Sequence, residues 1–400
     1  MWRSLRETIQ LHLKTVVALG VVGGLTFAWS LYISQIFPIE FFSTMDVWYG
    51  SDIKRVAANM FRRDVWLGRA GAHPIFGLLI FPPTRLLGLQ LGPNFLLAIK
   101  LVIAFFAATS VVFVFALARV LLKNMFLALL TTLFMLSSAT FIFWSAVPES
   151  FIFGSAAISA TFFFSIAVNL SPRAHVPLHV LTLAFTITNW LAAILASLSQ
   201  FRISSVMVIC LAGLVIVAVL ALIQRAIFID SPLFFLEPTT EWDRHYMSLP
   251  SFENIPLYGQ RTLNFLFATI VAPEPSINLD RRSFIGDALI QSSLNYSPVG
   301  WIGIASWLVI FGAGLVKAFF ISSRRQFLIV VGGFSIFQLA LHIVYGDEPF
   351  LYSMHFLPAL VLIGCLSLIG RYRWYFAALM SVAIACNLVN NYGRFVEAVA

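Results

Sequence analysis

Met45-Asp46-Val47-Trp48-Tyr49-Gly50-Ser51-Asp52, continuing to Gly71-Ala72-His73-Pro74, is a polar stretch set in an apolar chain. It follows the first long apolar segment and holds acids, a basic cluster and a His-Pro step. What surrounds it decides the fold. The 400 residues are 60% hydrophobic and 10% charged, with 40 phenylalanines and a mean hydropathy of +0.92. A soluble domain carries roughly 25% charged residues. The chain is therefore read as an all-α, polytopic membrane protein. Its net charge of +8 sits largely in short loops between apolar runs. There it reports topology and anionic headgroups rather than nucleic acid. Cys210, Cys365 and Cys386 all fall in apolar segments and read as packing residues.

Outward from that stretch, spans of about 20 residues are predicted at 15–37, 94–120, 124–144, 150–170, 176–188, 190–203, 204–229, 298–321, 326–346, 351–370 and 374–395. That makes about 11 transmembrane helices. Arg3, Arg6 and Lys14 precede the first without a small-residue cleavage site, so a retained span with a cytoplasmic N-terminus is expected. Residues 73–90 are apolar but short and carry Pro82-Pro83 and Arg85, which reads as a partial or re-entrant segment. With that segment not crossing, Arg119, Lys123, Arg173, Arg202, Arg324, Arg325, Arg371 and Arg373 all share the N-terminal side, as the positive-inside rule demands. The chain then divides into a module at 1–229 with a first outer loop at 38–72, a long external loop at 230–297, and C-terminal spans at 298–400.

Residues 51–63 are expected to form an external amphipathic helix. Tyr49, Ile53, Val56, Ala57 and Met60 recur at helical spacing, and Asp52, Lys54, Arg55, Asn59, Arg62 and Arg63 take the other faces. Acids concentrate on the outer side: Asp46, Asp52, Asp64, Glu149, Asp347 and Glu348. A carboxylate beside a bilayer is costly unless paired or hydrated, and partial burial raises its pKa toward the working range of a general base. Asp52 in a first helical turn also suits the helix dipole, and Glu149 in Val147-Pro148-Glu149-Ser150 reads equally as a helix start or as a second acid facing the same cavity. Lys54, Arg55, Arg63 and neighbouring Arg62 and Arg69 suit headgroups or the phosphate of a lipid-linked substrate. Arg244, Arg281 and Arg282 are candidates for the same role. His73 at the mouth of the partial segment, and Asp347, Glu348, Tyr352 and His355 around the tenth span, are candidate substrate contacts. The chain has no Walker A motif, no Rossmann glycine pattern, no HExxH and no CxxC pair. Its loops on the N-terminal side are too short for a nucleotide-binding domain.

This layout resembles the GT-C superfamily of integral-membrane glycosyltransferases. The matching features are Asp46 after the first span, the amphipathic external helix, His73-Pro74 before a proline-containing run, Val147-Pro148-Glu149-Ser150, Thr188-Asn189-Trp190, and a long loop after the seventh span. The resemblance covers mainly residues 15–230. It implies sugar transfer from a polyprenyl-phosphate-linked donor to a glycan, lipid or protein acceptor on the outer, periplasmic face of a bacterial inner membrane. It also implies inversion of configuration, Asp46 as the base, and Glu149 as a second acid shaping the site. The adjacent acidic pair of some members is absent around Asp46, where the next acid is Asp52. A divalent metal therefore stays an open element, and no metal ligand is assigned. The competing readings are a transporter or lipid flippase, an O-antigen polymerase or ligase acting through Arg281 and Arg282, and a scaffold subunit.

Overall fold

The computed structural model describes residues 2–42, 48–92, 94–168, 170–236, 247–248, 251–278, 287–289, 294–320, 325–346 and 349–400. Asp46, Asp347, Glu348, Arg244, Arg281, Arg282 and Arg324 lie outside the described residues. The helices in chain order are α1 (Trp2–Ile36), α2 (Ile53–Phe61), α3 (Phe76–Leu91), α4 (Phe95–Leu122), α5 (Met125–Ser137), α6 (Ala139–Trp144), α7 (Ser150–Ala167), α8 (Pro172–Phe185), α9 (Trp190–Leu198) and α10 (Ile203–Ile227). There follow α11 (Ile255–Leu263), α12 (Pro298–Phe320), α13 (Arg325–Val344, with a π-turn at Leu328–Gly332), α14 (Ser353–Cys365) and α15 (Arg373–Val399). Two short antiparallel strands, β1 (Ser276–Asn278) and β2 (Asp287–Leu289), pair with Ile277 opposite Ala288. Among the described residues, eight helices are long and apolar enough to cross a membrane, and Phe76–Leu91, Met125–Ser137 and Ile187–Leu198 are shorter apolar helices. The protein is an integral, multi-pass helical bundle.

Contacts fix two ends of the bundle. The α1–α4 pair is antiparallel: a Cβ on Gly23 would touch Val112, while Lys100 near the start of α4 stands 6.0 Å over the Phe42 ring just beyond α1. The α15 helix runs from Trp374, 6.1 Å from Phe126, to Phe395, 5.7 Å from Trp48. One end therefore carries residues 48–72. Glu40, Asp52, Asp64, Glu149 and Glu397 share that first-loop end. The turns at the opposite end carry Arg119, Lys123, Arg173, Arg202, Arg325, Arg371 and Arg373.

The α3 helix begins and ends against α2. Gly88 packs on Phe61, Arg85 lies 4.8 Å over the same ring, and Phe95, opening α4, is 5.2 Å from it. The segment thus returns to the end it started from. Pro82 and Pro83 remove two backbone donors from its middle, and Thr84 Oγ1 donates to the Ile80 carbonyl at 2.7 Å. Gln224 on α10 caps its start: Oε1 accepts from the Leu78 N–H at 3.0 Å, and Nε2 donates to the Pro74 carbonyl at 2.9 Å.

Three expectations are corrected. The 124–144 run is two helices, not one. The chain breaks at Ser138, whose hydroxyl caps α6 by accepting from the Phe141 N–H at 3.2 Å. The α6 donors Ala139 and Thr140 bond the Ile270 and Thr269 carbonyls at 3.0 and 3.1 Å. Residues 264–272, expected within an external loop, are therefore inside the bundle, with Phe265, Ala268, Ile270, Val271 and Ala272 buried. Helix α2 stops at Phe61 rather than Arg63, and Ile53, Val56 and Met60 are covered by protein, not lipid. Asn59, assigned to the polar face, is buried and donates to the Trp66 carbonyl at 3.1 Å.

Helices α8 and α9 meet at the 3-10 turn Ile187–Asn189. Between them runs a directional chain of hydrogen bonds. Trp190 Nε1–H donates to His179 Nδ1 at 2.9 Å. That tautomer leaves the proton on His179 Nε2, which faces Ser197 Oγ at 2.8 Å; Ser197 in turn faces His175 Nδ1 at 3.1 Å.

Small residues set the closest helix crossing. Gly314 on α12 faces the Ile363 carbonyl oxygen and the Gly364 Cα of α14, and a Cβ there would overlap the carbonyl. In a bilayer helices associate through such backbone approach. Gly314→Ala should push α12 off α14 and cost about 1–3 kcal/mol, read as a fall in thermal stability in detergent. Gly312→Ala on the same helix has open space and should leave stability unchanged.

Candidate functional site

The first loop is bent by Trp48–Ser51, a turn in which the Ser51 N–H donates to the Trp48 carbonyl at 2.9 Å. Tyr49 takes the left-handed conformation, φ 51°, which is unusual outside glycine. Its buried ring packs edge-on to Phe143, Trp144 and Phe350, and this packing holds the turn.

Below the turn, Asp52 and Glu149 meet across 97 positions of sequence. The Asp52 N–H donates to Glu149 Oε1 at 2.8 Å, and the Ser150 N–H donates to Oε2 at 2.7 Å. Arg69 Nη1 lies 3.1 and 3.3 Å from the two Glu149 oxygens and 2.8 Å from Asp52 Oδ2. Arg55 pairs with Asp52 Oδ1. Glu149 is buried, so its charge is tolerated only because guanidinium and backbone donors engage both oxygens. A carboxylate so fully engaged has no free position for an acceptor proton or a divalent ion. Glu149 fastens the first loop to the start of α7.

His73 continues the cluster inward. Its Nδ1 donates to the Phe185 carbonyl, which can only accept, so Nε2 is the unprotonated nitrogen that faces Ser150 Oγ at 3.3 Å. Burial, aided by the Arg69 charge, lowers the His73 pKa from its usual 6.5 to about 4. The unfolded chain therefore binds more protons than the folded one between these values. Stability from this group is complete above pH 6.5 and is lost as pH falls toward 4, by about 3 kcal/mol in all. Replacing His73 with Asn should flatten that part of a melting-temperature profile against pH. An unchanged slope in the variant would assign the acid sensitivity elsewhere.

Of the sequence-predicted residues, Asp52, Arg55, Glu149 and His73 come together. Lys54 and Arg63 are exposed and stand apart from this cluster. Tyr352 and His355 form a second group, both against Phe151, at ring separations of 5.3 and 5.2 Å. Tyr352 also stacks on His342 at 4.7 Å. Arg69, expected to meet headgroups or a lipid-linked phosphate, is instead central to the ion cluster. Asn189 stands out in the sequence only within Thr188-Asn189-Trp190, and Gln338 and His342, isolated polar residues in an apolar run, were missed. Lys100, 7% exposed near the head of α4, was likewise missed; a lysine within an apolar span was its only signal.

Two clefts lie beside the cluster. A polar one of about 660 Å³ is lined by Trp66, Gly68, Arg225 and Phe228–Pro232. A nearly wholly apolar one of about 350 Å³ runs between α3, α8 and α10, past Leu79, Pro177, Leu181 and Leu220. Among the described residues no group of three or more His, Cys, Asp or Glu side chains is arranged to hold a metal ion. Comparison with protein-family models, with curated proteins and with solved structures found no match.

Proposed function

We propose that this protein is an integral-membrane glycosyltransferase. It moves a sugar from a polyprenyl-phosphate-linked donor to an acceptor hydroxyl at the first-loop end of the bundle. The observation that carries the reading is the loop after α1, folded back onto the start of α7 by Arg69, Asp52 and Glu149, with a polar cleft that holds Arg225 and Asp230 and an apolar groove beside it. A lipid-linked phosphate asks for an apolar groove for the chain and guanidinium groups nearby for the phosphate.

In this reading α5, α8 and α9 also cross while α3 does not, giving 11 spans. The basic turns face the cytoplasm, and the first-loop end faces the outside, the periplasm in a bacterial inner membrane. Asp46 is assigned as the base. It removes the proton from the acceptor hydroxyl as that oxygen attacks the anomeric carbon. The bond from that carbon to the phosphate oxygen breaks, and the lipid phosphate leaves with its charge met by Arg225 and the arginines of the first loop. A single displacement inverts configuration. Glu149 has a positioning role, because its oxygens are already engaged.

The test is transfer in proteoliposomes carrying polyprenyl-phosphate sugars. Asp46→Asn should lower turnover at least roughly a hundredfold while the melting temperature holds. Full turnover in that variant would sink the assignment of the base.

A further inference from the structure

One turn below Ser150 on the same face of α7, buried polar side chains close on Gly154. A Cβ there would lie 2.6 Å from Asn189 Nδ2 and 2.7 Å from His355 Nε2. Only glycine lets these two side chains approach α7. On α13, Gln338 and His342 are one turn apart and share a face. His342 stacks on Tyr352, which shares Phe151 with His355. Asn189 and Gln338 are 0% exposed, and His342 and His355 are 3% exposed. Both amide atoms of Asn189, both of Gln338, both ring nitrogens of His342 and Nε2 of His355 have no hydrogen-bond partner.

So many buried, unpartnered polar atoms on four side chains cannot be a packing solution, since each carries a desolvation cost that a methyl group would remove. Their chemistry is specific. Amides and neutral imidazoles offer donors and acceptors side by side, with an aromatic face at Tyr352. Neither a carboxylate nor an ammonium group is among them. The Arg261 guanidinium stands near His342, held by the Ile343 carbonyl at 2.9 Å, and adjacent hydroxyls would find a donor and an acceptor each among the four. Resting on the glycosyl-transfer reading, we propose that Asn189, Gln338, His342 and His355 form the pocket that receives the sugar ring. This pocket is separate from the arginines that meet the phosphate.

The experiment uses the full chain in nanodiscs with three probes: farnesyl phosphate, farnesyl phosphate bearing mannose, glucose, galactose or arabinose, and the corresponding free methyl glycosides. Thermal shift and equilibrium binding are read on the native protein, Asn189→Leu, Gln338→Leu and Gln338→Met. The leucine and methionine side chains fill similar volume. They should leave the ligand-free melting temperature unchanged or higher, and reduce affinity for the best sugar-bearing probe to that of farnesyl phosphate alone. Affinity for farnesyl phosphate itself should not change. Retained sugar discrimination in all variants, or a lower ligand-free melting temperature in each, would overturn the proposal. If the native protein ignores farnesyl phosphate yet binds a methyl glycoside that the variants lose, the pocket stands and the lipid-carrier reading falls.

Discussion

Replacing Glu149 with leucine should cost about 3–5 kcal/mol. The carboxylate holds the backbone donors of Asp52 and Ser150 together with Arg69. Without it, two N–H groups lose their acceptor and the guanidinium loses one of its two carboxylates. Arg69 is 28% exposed and keeps Asp52, so its own share is small. Most of the loss comes from the uncompensated backbone groups. Glu149→Gln retains a carbonyl for one of them and should lose roughly half as much. Denaturation of the two variants in mixed micelles would check the order, and a double-mutant cycle with Arg69→Leu should show coupling of about 0.5–3 kcal/mol. On the proposed glycosyl-transfer reading, transfer by the glutamine variant should keep the pH dependence of the native protein, because a group that only holds the loop takes no proton from the acceptor. A shifted profile would return Glu149 to the chemistry.

Asn391→Leu is the second large effect, on the order of 3–5 kcal/mol. Asn391 is fully buried near the first-loop end of α15. Its Nδ2 donates to the Ser137 and Ile270 carbonyls at 2.8 Å each, and its Oδ1 accepts from the Ala272 N–H at 2.7 Å. It is the clasp for the inserted residues 264–272, next to the break between α5 and α6. Leucine of similar size removes these three bonds and the one that Oδ1 accepts from Asn390 Nδ2 at 3.1 Å, and leaves the Ala272 N–H without an acceptor. Asn390 donates to the Ala272 carbonyl at 2.8 Å and touches the same segment from its other side, so Asn390→Leu should cost less. The melting temperatures of the two variants measure the difference. Equal losses would show that the segment is held by packing alone.

The membrane class and the long helices were legible because composition and apolar run length report the solvent directly. That 76–91 forms a short apolar helix of its own was legible too, since two prolines and an arginine mark one short run. The break at Ser138 was not. An uninterrupted apolar run reads as one helix, and what divides it is a partner segment 130 positions later that offers carbonyls to its freed donors. At the site, Asp52, Glu149 and His73 could be nominated as polar groups at the edges of apolar segments. That Glu149 is saturated could not, because its partners come from two separate turns. Gln338 and His342 were hidden for a related reason: each has an apolar neighbourhood in sequence. Asn189 was visible within Thr188-Asn189-Trp190, but only folding brings it beside His355 at Gly154.

The hydrogen-bonded line Trp190–His179–Ser197–His175 has a fixed polarity. It lies among buried side chains of α8 and α9 and contains two imidazoles, the groups most able to pass protons. At its first-loop end stands an indole, which gives up no proton in water and has no lone pair to take one. While Trp190 donates to Nδ1, the His179 ring has a single proton and a single direction. The line is therefore closed at one end. Trp190 thus fixes the tautomer of His179 and the direction of the whole line.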